Sequence, residues 1–150
     1  MDFPDNRMDH CDLLDIIKAI EPAIQEHSPQ RIYTHYPGDV NIDHQRISEA
    51  VITAARSTPN HLTKTILFFE VPSSTEWQVS LVKATFCPNW FVDISDILHL
   101  KQKALAAYAS EMRAFPHPRS DRAVEHLAHW RGATAGVEAA EAFVLARHQE

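Results

Sequence analysis

The sequence predicts an α/β protein, three-layered and Rossmann-like, with a mainly parallel sheet. Three observations point there. Leu13, Ile16, Ile17, Ile20 and Ile24 recur at three- and four-residue spacing, the pattern of an amphipathic helix. Arg31–Thr34 then reads as a short strand that opens into a polar loop and a second helical pattern, the strand–loop–helix order of a βαβ unit. Thr65–Val71 is almost continuously apolar and β-branched, as in a strand covered on both faces.

The elements follow in order. Phe3–Met8 is a loop by its Pro, Asp and Asn content, and Asp9 can cap the helix beginning near Leu13. Pro22 kinks or restarts that helix, and Ser28-Pro29 ends it. The strand Arg31–Thr34 is expected to be central. The next helix, His44 to Ala55, puts Ile47, Val51 and Ala54 on one face. A turn is expected over residues 57–60, a polar loop over 72–77 and a short edge segment over 79–86. Trp90–Ile94 reads as a strand, with Ser95 as the cap of a helix running to about Arg113. A Pro-bounded loop at 114–119 leads to a helix over 122–133, capped by Ser120 or Asp121 and ended by the Gly132/Gly136 pair. Glu138–Leu145 is ambiguous, although its Ala and Glu content favours helix.

Composition bounds the function. The chain has 150 residues, is 45% hydrophobic and 23% charged, and suits one domain. A net charge of -6 without any long basic run argues against nucleic acid or an anionic membrane surface as partner. No apolar run approaches the length of a membrane span, and the acidic start is not a signal peptide. With only 2 cysteines, Cys11 and Cys87, no disulfide framework follows, which fits a reducing, cytoplasmic setting.

The chemistry concentrates between Tyr33 and His44. His35, Asp39, Asn41, Asp43 and His44 crowd the loop that leaves the strand, where α/β proteins place their ligands. A carboxylate beside a histidine there makes a candidate metal or acid/base site. His44 can equally be a helix-start histidine bonded to backbone, and Asp43 a helix N-cap. Asp39 sits in a Pro-Gly turn expected to be flexible. Trp77, Trp90 and Trp130 can stack on a ring substrate, although Trp90 and Trp130 suit core packing.

Asn41-Ile-Asp-His44, within Thr34-His-Tyr-Pro-Gly-Asp-Val-Asn-Ile-Asp-His-Gln-Arg46, resembles the second motif of the PIG-L/LmbE-like zinc-dependent de-N-acetylases. Residues 2–9 (DFPDNRMD), 88–95 (PNWFVDIS) and 130–143 (WRGATAGVEAAEAF) follow the family's order. The resemblance implies that His44 is a zinc ligand. It implies that Asp43 orients the side chain two residues before it. In many members that side chain is a histidine; here it is Asn41, which can donate a hydrogen bond to an oxyanion but cannot become an acid. His35 is a candidate substitute from the same loop. Asp5 and Arg7 would border the substrate pocket, with His117 and Arg119 reaching toward substrate from the later loop. A short closing strand is implied around residues 142–145.

The family's early His-Pro-Asp-Asp-Glu motif, which supplies two zinc ligands and the base, does not occur in the sequence. The expectation is therefore a single partial domain over residues 1–150, truncated at its N-terminal side. Its activity would be zinc-dependent amide hydrolysis of an N-acetylated amino sugar or its conjugate, absent in the isolated chain. A homo-oligomer or a complementing N-terminal segment is the partner that would close it. Two rivals stand beside this: a non-catalytic remnant or subunit of the fold, and a domain that binds a sugar conjugate without turnover.

Overall fold

The computed structural model describes residues 3–58, 63–79 and 85–150. Two compact units emerge, Met1–Cys87 with Val144–Glu150, and Pro88–Phe143. The expected turn at 57–60 and edge segment at 79–86 lie partly outside the described residues.

The first unit opens with a 3-10 turn at Met8–His10, which contains Asp9; Asp12 therefore stands at the N-cap of helix α1, Leu13–His27. Ile16, Ile17 and Ile24 form its buried stripe, as the spacing predicts. Pro22 lies inside α1 without ending it. Ser28, in the left-handed region at φ 43, closes the helix by donating its N–H to the Ile24 carbonyl. Strand β1, Arg31–His35, pairs in parallel with β2, Thr65–Phe69, in a register running from Arg31↔Thr65 to His35↔Phe69. Between them, helix α2 spans Ile42–Ala54. Ile16 and Leu67 are fully enclosed, and Ile66 shares one core cluster with Ile16.

The second unit begins with strand β3, Trp90–Asp93. A 3-10 turn at Ser95–Ile97 leads into helix α3, Leu98–Ala106, which ends seven residues short of Arg113. Ser95 does not cap α3; its hydroxyl donates to the Asp93 carboxylate. Helix α4 spans Asp121–Ala135, and here Ser120 is the cap, accepting the Ala123 N–H at 3.1 Å. Its buried positions, Val124, Ala128 and Gly132, are four residues apart. Trp130, two residues from the last two of these, points about 200° around the helix and is 67% exposed, so it is not a core residue. Gly136, at φ 77, is the left-handed C-cap.

Strand β4, Ala140–His148, runs from the second unit into the first. Helical composition at 138–145 loses to the strand that the family pattern implies, because Ala140, Ala142 and Phe143 are buried. The sheet order is β1-β2-β4-β3. β1 is thus an edge strand of the described sheet and not a central one. The sheet is mixed, since β3 and β4 are antiparallel, from Trp90↔Phe143 to Asp93↔Ala140. Two helices separate these strands where a parallel crossover would use one, so the chain re-enters the sheet reversed. Among the described residues no helix is long and apolar enough to cross a membrane.

Candidate functional site

Parallel pairing of β1 with β2 brings their carboxyl ends, and the loops after them, to the same edge of the sheet. The first loop leads to α2. Its cap is Asn41, whose Oδ1 accepts the N–H groups of Asp43 at 2.8 Å and His44 at 3.4 Å. Asp43 is consequently inside the first turn and not the cap. Its carboxylate instead receives the N–H of Asn6 at 2.6 Å and of Met8 at 2.9 Å. Asn41 Nδ2 donates to Asn6 Oδ1 at 3.2 Å. Asp5 and Arg7, both exposed, therefore sit on a loop fastened to the start of α2. Asn6 meets that fastening at φ 53, a left-handed conformation that asparagine tolerates well.

His44 projects from the first turn of α2 onto His35, the last residue of β1. The two imidazoles stack with centroids 4.1 Å apart and planes 20° from parallel. His44 Nδ1 lies 3.2 Å from Asp39 Oδ1. Asp39 is 0% exposed and anything but a flexible turn residue. Its carboxylate accepts from Asn41 N at 2.8 Å, from Thr75 Oγ1 at 2.8 Å and from Ser74 Oγ. Its carbonyl accepts Gln45 Nε2 at 2.7 Å. Ser74 and Thr75 belong to the loop after β2, which folds back on itself as Thr75 Oγ1 accepts the Val71 N–H.

The electrostatics follow from these contacts. Burial alone would raise the Asp39 carboxyl, but hydrogen bonds from His44, Ser74, Asn41 and Thr75 outweigh it and hold the group at about 2. His35 is held neutral down to about 4, chiefly by burial, then by its neighbour His44, against the opposing pull of Asp39. His35 Nδ1 is buried and finds no hydrogen-bond partner among the described residues.

His117 and Arg119 belong to the second unit and have local partners. His117 Nδ1 accepts the Arg119 N–H at 3.1 Å, and Arg119 Nη1 donates to Glu111 at 2.8 Å.

The sequence marks His44, Asp43 and Asn41 through their motif, but misses the Asp39–Ser74–Thr75 cluster. Its only signal is the polar run Ser73-Ser-Thr-Glu76 directly after the most apolar strand. As a zinc site the set is short. With Nδ1 directed at Asp39, His44 keeps Nε2 as its one open nitrogen. Among the described residues no three His, Cys, Asp or Glu side chains group to hold a metal ion. A catalytic zinc takes about three protein ligands, so these residues do not fit one by themselves.

The fold, a mixed α/β arrangement with a four-stranded mixed sheet, is similar to that of solved structures. Residues 1–55 match the sequence model of the PIG-L family, GlcNAc-PI de-N-acetylase, a stretch that includes Asp5, Arg7, Asn41, Asp43 and His44. A conserved protein of Thermus thermophilus superposes with a TM-score of 0.75 at 20% identity, covering 99% of this chain and 64% of that one. The N,N'-diacetylchitobiose deacetylase of Pyrococcus horikoshii, in complex with an inhibitor, gives 0.71 at 18% identity, covering 97% of this chain and 55% of that one. The chain spans less than two thirds of either structure's length. No curated protein matches the sequence.

Proposed function

We propose that this chain is the part of a PIG-L/LmbE-like de-N-acetylase that carries the His44 side of the reaction centre. The substrate class is an N-acetylated amino sugar or its conjugate, and the bond cleaved is the acetamide C–N bond. Residues 1–150 are a single partial domain of the Rossmann-like family fold. The observation that carries this reading is the oriented Asp39–His44 pair at the carboxyl end of β1, inside the stretch that matches the family. The deacetylase neighbour supports the substrate class.

In this reading His44 Nε2 is the ligand offered, among the described residues, to zinc, the metal implied by the family, whose chemistry is to polarise the amide carbonyl and activate water. Asn41 Nδ2 spends one N–H on Asn6 and keeps a second for a developing oxyanion. Asp43 holds the loop of Asp5 and Arg7, whose charges suit sugar hydroxyls or an anionic group. His117 and Arg119 enter this reading as substrate contacts through the family resemblance alone.

The test is a chimera. The 150-residue chain alone is expected to bind zinc weakly in calorimetry and to release acetate from N,N'-diacetylchitobiose at the uncatalysed rate. Joined to the amino-terminal segment of the Pyrococcus horikoshii enzyme, it should gain both properties, and His44→Ala should abolish both. Asn41→Ala should lower the rate, by roughly 10²–10³-fold for a lost oxyanion donor, more than zinc affinity. A folded chimera with neither zinc binding nor turnover sinks the proposal. It would favour the non-catalytic reading.

A further inference from the structure

We propose that Asp39 is a positioning residue: it fixes His44 in the Nδ1–H tautomer and turns the Nε2 lone pair out of the cluster. The inference rests on the reading of His44 as the working imidazole of the site.

The argument is one of donors and acceptors. An ionised carboxylate only accepts hydrogen bonds. Asp39 is fully enclosed, and Oδ1 faces His44 Nδ1 at 3.2 Å, so that nitrogen must carry the proton. A neutral imidazole has one N–H, which leaves Nε2 as the free base. Carboxylate–histidine pairs of this kind orient rings that bind a ligand through their other nitrogen.

Asp39 can do this because it cannot turn away. Its Oδ1 is also the acceptor for Asn41 N and Ser74 Oγ, and its Oδ2 for Thr75 Oγ1. These donors come from two different loops, one after each of the paired strands. The stacked His35 ring blocks one face of His44 and hinders rotation of the imidazole. Ser74 Oγ, at 3.4 Å from His44 Nδ1, is the weaker neighbour, and its proton is already committed to Asp39. Ser74 and Thr75 thus act on His44 through Asp39, not directly.

The readout is the ¹⁵N spectrum of the histidine side chains, recorded on the intact 150-residue chain above the ordinary histidine pKa, with His44 identified by its loss in His44→Gln. In the unsubstituted protein His44 should show a protonated Nδ1, slow to exchange with water, and an unprotonated Nε2. Asp39→Asn, which keeps an oxygen acceptor, should preserve that pattern. Ser74→Ala should also preserve it. Asp39→Ala combined with Ser74→Ala should convert His44 to a mixture or to the Nε2–H form.

An Nε2–H ring in the unsubstituted chain overturns the proposal. So does conversion by Ser74→Ala alone, or an unchanged tautomer in a folded double variant. If the double variant does not fold, the unsubstituted, Asp39→Asn and Ser74→Ala spectra still decide. None of these spectra depends on deacetylation. The expected tautomers with an inert chimera would sink the deacetylase reading alone. An active chimera with an Nε2–H His44 would sink the positioning role alone.

Discussion

His35 occupies a position in which a proton has no place to go. Its Nδ1 is buried without a partner among the described residues, and its ring lies against His44. The unfolded chain takes up a proton near the ordinary value of 6.5, while the folded chain resists it down to about 4. Between those values the unfolded state binds more protons, so stability is full above the upper one and falls as pH drops to the lower. Asp39 then takes over. Its carboxyl is depressed from 3.8 to about 2, so its contribution is present above 3.8 and lost as pH falls toward 2. Urea unfolding across this range should show both decrements. His35→Gln should flatten the upper one and leave the lower, and an unaltered upper decrement would show that another group causes it. At this scale the sequence exposes His44 through its neighbours in the chain. It hides Asp39's role because Ser74 and Thr75 stand 35 and 36 positions away and meet Asp39 only once β1 and β2 pair.

Among the elements, α4 is the most tightly specified. Its Gly132 faces the chain that leads into β4: a Cβ there would lie 2.7 Å from Ala139 Cα and 2.7 Å from the Val137 carbonyl oxygen. Both obstacles are backbone, which yields poorly. Gly132→Ala should therefore destabilise the protein by about 1–3 kcal/mol despite alanine's better helix propensity. Thermal unfolding would measure this, and an unchanged or raised midpoint would contradict it. The element pattern is legible wherever burial is one-sided. Leu13 to Ile24 announces α1, and Thr65 to Phe69 announces β2. It fails where tertiary contact decides. The α3 sequence continues apolar past Ala106, but none of its nine residues is buried, so nothing rewards further turns. The alanines of β4 favour a helix in isolation, yet pairing with β3 draws them into the sheet.

For the whole molecule, the carboxyl-terminal seven residues belong with the amino-terminal unit. Arg147 Nη2 donates to the carbonyls of Ala55 at 2.6 Å and Thr63 at 3.3 Å. Gln149 N donates to the Lys64 carbonyl at 3.0 Å, and His148 Nδ1 lies 3.0 Å from Thr65 Oγ1. Removing residues 144–150 should leave β2 without these partners and cost cooperative unfolding, seen as a broadened urea transition; a transition of unchanged midpoint and slope would refute this. The expectation of one partial domain, drawn from the family's order of segments, did not include this return of the chain, which no local pattern encodes. It also bears on how the polypeptide is made. Of the described strands β4 is made last, yet it lies between β2 and β3. Until it is made, β3 has no neighbour among the described strands and β2 has only β1. The nascent chain therefore carries an open gap between β2 and β3 until β4 has been made, the interval in which a chaperone that shields unpaired strand edges would have most to protect.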